Sequence, residues 1–196
     1  LLRSLRFELN ERLKVNENVL GITSVLPGEG KTFLAGSLCY AFAMMGKNVL
    51  LISDEGASLM DLVSNKKNKR EASQGFESFI VKKEIEVEDR ITILNRNPST
   101  SSLLELRDNK SLEAGFRVLK DTFDVVIVDI GSAQDLHSVK EWLMFCDHSV
   151  AIYEAGNKLT GQHREVIRFL SSQPGFLGWV LNKVQFKNHY RITGKV

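Results

Sequence analysis

At 196 residues, 43% hydrophobic and 26% charged, the chain is long enough to close one core and too short for two ordinary domains. Its 14 Gly and 3 Pro exclude collagen-like and low-complexity classes. Lys plus Arg number 26 and Asp plus Glu 24, a formal charge of +2, which makes no electrostatic case for nucleic acid as the main partner.

A helix is expected over 1–14, where Leu1, Leu5, Leu9 and Leu13 recur at four-residue spacing between charged residues, the pattern of an amphipathic surface helix. A buried strand at 19–24, a Gly/Pro turn, an apolar helix over 31–45 ending at Gly46 and a second strand at 49–53 follow. Strand, helix and strand within so few residues predict a right-handed parallel unit. The basic run Lys66, Lys67, Lys69 and Arg70 reads as solvated loop, with 75–81 the packed part of that stretch. Further strands are expected at 91–94, 125–128, 149–153 and 177–181, with helices over 101–120, 136–145 and 159–170. Val125 to Val128 is a β-branched run suited to the middle of a parallel sheet, and Asp129 is expected to end it. One domain spans 1–196.

The apolar stretch 33–45 is too short to cross a bilayer. Cys39 and Cys146 stand in apolar surroundings and read as buried thiols of a reducing compartment, so the cytoplasm is expected. The chain opens on Leu1 without a signal-peptide pattern, as expected of a piece of a longer protein. His137, His148, His163 and His189 lack metal-ligand spacing and make no case for zinc.

Chemistry concentrates in Ser24-Val-Leu-Pro-Gly-Glu-Gly-Lys-Thr32, where a strand turns into a helix. A nucleoside triphosphate requires backbone N–H groups converging on its phosphates, a cation on the β/γ oxygens and a hydroxyl on magnesium. Gly28 and Gly30 let the backbone curl, Lys31 supplies the cation and Thr32 the hydroxyl, so Pro27, Gly28, Glu29, Gly30, Lys31, Thr32 and Phe33 form the expected cradle for ATP or ADP. Val25 stands where the usual loop begins with glycine. Asp129 is the expected second Mg²⁺ partner.

With these motifs the chain resembles, nearly end to end, the bacterial tyrosine kinases of capsular and exopolysaccharide synthesis, whose cytoplasmic domain is a modified P-loop ATPase. The family's phosphate loop also lacks the leading glycine. Gly75-Phe76, Asn97-Pro98 with Leu103-Leu104, and the segment from Leu177 to Lys183 are similar to pieces of that family. The resemblance implies a three-layer α/β P-loop fold, a mostly parallel sheet with helices on both faces, and adenine contact by Asn182. It also implies ring-type homo-oligomers through the first helix, with Arg3 and Arg6 as contacts. Further implications are Mg²⁺ as the metal, a place at the inner face of the cell membrane, and a polysaccharide co-polymerase or export machine as partner.

The departures are specific. After its second strand the family carries Asp-x-Asp-x-Arg, where this chain reads Ser53-Asp54-Glu55-Gly56-Ala57. Either register loses one acid, leaving Asp54, Glu55 and Lys31 as candidate catalytic residues. Asp129 is followed by Ile130-Gly131 where the family has Asp-x-Pro. A tyrosine phenol with a pKa near 10 benefits from a base worth roughly 10² to 10⁴ in rate, which Ser53 cannot supply. The family's tyrosine tail is missing, and Tyr190 alone follows the last strand as a candidate phosphoacceptor. A weak kinase or pseudokinase is therefore expected. The alternatives are an autokinase using Asp54 or Glu55 and a partitioning or division-site ATPase, whose usual early lysine is absent from the loop.

Overall fold

The computed structural model describes residues 2–54, 87–95 and 102–184. The basic run at 66–70, segment 75–81, Asn97, Pro98, Glu55 and Tyr190 lie outside the described residues. The described elements are α1 (Leu2–Arg12), β1 (Val19–Ser24), α2 (Lys31–Ala43), β2 (Val49–Ser53), a 3-10 turn (Val87–Arg90), β3 (Ile91–Asn95), α3 (Leu103–Leu106), α4 (Asn109–Thr122), β4 (Val125–Ser132), α5 (Leu136–Leu143), β5 (His148–Glu154), α6 (Gly161–Ser171) and β6 (Phe176–Asn182).

The six strands form one sheet in the order β3-β2-β4-β1-β5-β6, and every adjacent pair is parallel. β1 and β2 are buried along their whole length, which is why both read as unbroken apolar runs rather than alternating ones. On one face, Leu9 of α1 and Leu38, Cys39 and Phe42 of α2 pack on Leu20, Ile22, Leu51, Ile127 and Ile152. On the other, Phe116 of α4, Val139 and Trp142 of α5 and Leu170 of α6 cover Leu50, Val126, Val128 and Ala151. Each such fully buried aliphatic or aromatic side chain is worth about 1.5–3 kcal/mol relative to exposure.

Two expectations are corrected. The helix expected over 101–120 is two helices: Asp108 leaves helical geometry and caps α4, its carboxylate accepting the Ser111 N–H at 2.9 Å, a local bond that competes with helix continuation. Asp129 does not end its strand, because β4 runs on through Ile130 and Gly131 to Ser132. Thr23 Oγ1 donates to the Gly131 carbonyl at 2.8 Å, fastening this extension to β1 where the pairing register shifts between Ile22 and Ser24.

The topology fixes where a ligand can sit. From β1 the chain crosses through α2 on one face to β2, and from β4 through α5 on the other face to β5. These connections diverge at the carboxyl ends of β1 and β4, and parallel α/β sheets open their binding crevice at such a point.

Candidate nucleotide site

The loop at 25–30 leaves the carboxyl end of β1 and enters α2. Val25 is buried and its N–H donates to the Ile152 carbonyl at 3.3 Å, so the position prolongs the pairing of β1 with β5. Among described residues other than glycine only Asn16 and Lys183 have positive φ. Val25 therefore needs no glycine, which explains its place in the motif. The curl comes later, at Gly28 (φ 74°) and Gly30 (φ 97°), left-handed conformations that disfavour a side chain.

Gly30 is the N-cap of α2, and its carbonyl accepts the Leu34 N–H at 3.0 Å. The first-turn N–H groups of Lys31, Thr32 and Phe33 have no acceptor inside the helix and present the positive end of its dipole. Lys31 and Thr32 are half-buried and Phe33 is exposed. A Cβ added to Gly28 would meet nothing within 4 Å, whereas one added to Gly30 would lie 2.4 Å from Nδ2 of Asn182. The cradle is open at Gly28 and closely covered at Gly30.

Glu29 turns inward. It is fully buried; Oε2 accepts the Leu26 N–H at 2.8 Å and Oε1 the Glu154 N–H at 3.1 Å. Asn182, the last residue of β6, donates from Nδ2 to the Glu29 carbonyl at 2.8 Å. Its own carbonyl accepts the Ala155 N–H at 2.9 Å, and the neighbouring Lys183 pairs with Glu154 at 2.8 Å. Desolvation, and after it the Glu29 charge, pushes the Tyr153 phenol above its ordinary range.

Asp129 stands in β4 beside β1, 6% exposed. The hydroxyl of Ser53, the last residue of β2 and fully buried, donates to Asp129 Oδ2 at 2.9 Å. Burial, and after it the Asp129 charge, pushes the Cys39 thiol far up.

The expected residues are thus distributed as follows. Pro27 to Phe33 form one continuous turn into α2, with Asn182 on its backbone and Asp129 in the adjacent strand. Asp54 is exposed immediately beyond Ser53. Arg3 is exposed on α1, while Arg6 is half-buried and donates to the Ala41 carbonyl at the end of α2 at 3.2 Å; that side chain already serves its own fold. The open cradle offers backbone N–H groups suited to phosphate oxygens, and the Thr32 hydroxyl and Asp129 carboxylate are hard oxygen donors of the kind Mg²⁺ takes, so the residue types present fit Mg-ATP. Sequence reasoning missed the inward role of the Glu29 side chain. A signal was present, since a carboxylate facing a phosphate would repel it.

The family model described as cellulose biosynthesis protein BcsQ matches residues 17–164. No curated protein sequence matches the chain. Among solved structures, the BceF tyrosine kinase domain superposes with a TM-score of 0.67 at 20% identity, covering 92% of this chain and 75% of that one. The kinase domain of the Escherichia coli tyrosine kinase ETK gives 0.65 at 18%, covering 96% and 78%. The MinD cell division protein of Aquifex aeolicus gives 0.56 at 18%, covering 86% and 70%. At these identities the likeness is one of fold, and it is the P-loop fold expected from the sequence.

Proposed function

The chain belongs to the cellulose biosynthesis protein BcsQ family, and from that membership we propose that it is a Mg-ATP-binding regulatory domain of bacterial exopolysaccharide synthesis and export, a weak kinase or pseudokinase. The observation that carries this reading is the turn from Gly28 to Thr32, curled by two left-handed glycines into the amino end of α2, with Asp129 in the neighbouring strand. Lys31 would take the β/γ phosphate oxygens, Thr32 and Asp129 would hold Mg²⁺, and Asn182, whose Nδ2 donates to the Glu29 carbonyl, would lie against the base. When bound, Mg²⁺ neutralises phosphate charge.

Ser53 argues against efficient phosphoryl transfer. Its hydroxyl is spent on Asp129 and it cannot accept a phenolic proton at neutral pH. Nucleotide then acts through conformation, favouring a homo-oligomeric ring with Arg3 and Arg6 of α1 as its contacts. The domain works at the cytoplasmic face of the cell membrane, on a polysaccharide co-polymerase or export machine. No helix among the described residues is long and apolar enough to cross a membrane.

The similarity to the BceF and ETK kinase domains supports an autokinase as the second reading, with Asp54 or Glu55 as base. Incubation with Mg-ATP, followed by measurement of phosphotyrosine, separates the two. Bound ATP without phosphotyrosine is expected. Phosphotyrosine that disappears in Lys31→Ala and in one of Asp54→Ala or Glu55→Ala would establish the autokinase instead.

A further inference from the structure

We propose that the Glu29 side chain is a positioning residue of the phosphate loop, an internal anion that holds the loop in its phosphate-binding curve before any ligand arrives. The inference rests on the nucleotide-binding reading above and adds to it a side chain turned away from the cradle that its own main chain helps to form.

Three observations carry it. First, the carboxylate is fully buried, whereas Lys31 and Thr32 after it are half-buried. A buried carboxylate is tolerated only when its oxygens accept hydrogen bonds. Second, its two oxygens divide their work. Oε2 takes the N–H of Leu26, three residues earlier in the same loop, and Oε1 takes that of Glu154, at the carboxyl end of β5. One side chain thereby closes the loop on itself and ties it to the sheet. Third, the main chain of the same residue is held independently, because Asn182 at the end of β6 donates to the Glu29 carbonyl. Residue 29 is fastened to the ends of two adjacent strands, β5 and β6.

The consequence for binding is preorganisation. A loop whose curve exists beforehand spends none of the phosphate contact energy on ordering itself. The chemistry demands glutamate specifically. Both partners are N–H donors, and a glutamine offers one acceptor oxygen and a donor NH₂, so it can satisfy one partner while opposing the other. Aspartate is one methylene too short to span both.

Mg-ATP and Mg-pyrophosphate are titrated into the wild type and Glu29→Gln, well below the melting temperature of either. Circular dichroism verifies that the fold is intact. Glu29→Gln is expected to bind both ligands about tenfold to a hundredfold more weakly, by the same factor, because a broken bond to a charged group acts on the phosphate loop and not on the base. Unchanged affinity for both would overturn the proposal, as would a loss confined to ATP. A wild type that binds neither ligand would overturn the nucleotide reading itself, an outcome distinct from wild-type binding that Glu29→Gln retains. If Glu29→Gln does not fold, amide hydrogen exchange on the wild type decides. The Leu26 and Glu154 N–H groups should be protected before ATP is added, and fast exchange at both would refute a preformed loop.

Discussion

Ser53 and Asp129 are joined by a 2.9 Å hydrogen bond from hydroxyl to carboxylate, between the end of β2 and the middle of the extended β4, with both residues buried. The bond places a neutral hydroxyl donor, and not a second carboxylate, against Asp129, the carboxylate proposed above to hold the metal.

Ser53→Ala should therefore lower stability by about 1–3 kcal/mol, the range for losing a buried hydrogen bond to a charged group. Ser53→Asp should do the opposite of restoring a quiet site. Two carboxylates within hydrogen-bond distance cannot both ionise without a cation between them. Its melting temperature should fall without Mg-ATP and recover more than the wild type's when Mg-ATP is added. Thermal melts with and without Mg-ATP check both variants.

Gly30→Ala tests the curl. Its φ of 97° disfavours a side chain, and the new Cβ would lie 2.4 Å from Asn182 Nδ2, so Asn182 must leave the Glu29 carbonyl. Strain of this kind costs about 1–3 kcal/mol. ATP affinity measured by calorimetry should fall by about tenfold or more, since each 1.4 kcal/mol is a factor of ten.

The two thiols differ in exposure: Cys39 is buried as expected, whereas Cys146 is only half-buried. Burial first, and the Asp129 charge second, raises the pKa of Cys39; burial first and Asp147 second raises that of Cys146, with Lys120 opposing. The thiolate is the reactive form. Iodoacetamide at pH 8 should leave Cys39 unmodified until denaturant is added and alkylate Cys146 first, as mass spectrometry will show.

Asp108 gives stability a pH dependence of defined sign. Its carboxyl is held below the ordinary carboxylate range by the Ser111 N–H and then the Ser111 hydroxyl. A carboxylate whose pKa falls on folding stabilises above its unfolded value, about 3.9, and loses that contribution as pH drops through the folded value. Asp108→Ala should melt below the wild type at pH 7, and the difference should shrink below about pH 4. Melting temperatures across that range decide it.

The strands were legible because this sheet is buried on both faces: Val125 to Val128 and Val49 to Ile52 could form little else. The phosphate loop was legible because Gly28, Gly30, Lys31 and Thr32 are each required by phosphate chemistry at that spacing. Periodicity puts the end of β4 at Asp129, three residues short of Ser132, because it does not reveal that Thr23 holds Gly131 and draws the strand onward. The break at Asp108 was readable as a cap, with Ser111 three residues later. The bond from Arg6 to the Ala41 carbonyl depends on α1 packing against α2, a long-range fact that local spacing does not contain. Glu29 escaped for a similar reason: both of its strand-end partners lie more than a hundred residues away.

The most direct measurement is equilibrium titration of ATP with Mg²⁺ into the wild-type chain and into Lys31→Ala. Saturable binding at one site, weakened about a hundredfold or more when Lys31 loses its charge-assisted contact with phosphate and weakened also when Mg²⁺ is chelated, is the expected result. Absence of binding in the wild type, or binding indifferent to Lys31, would contradict a nucleotide-gated function for this domain.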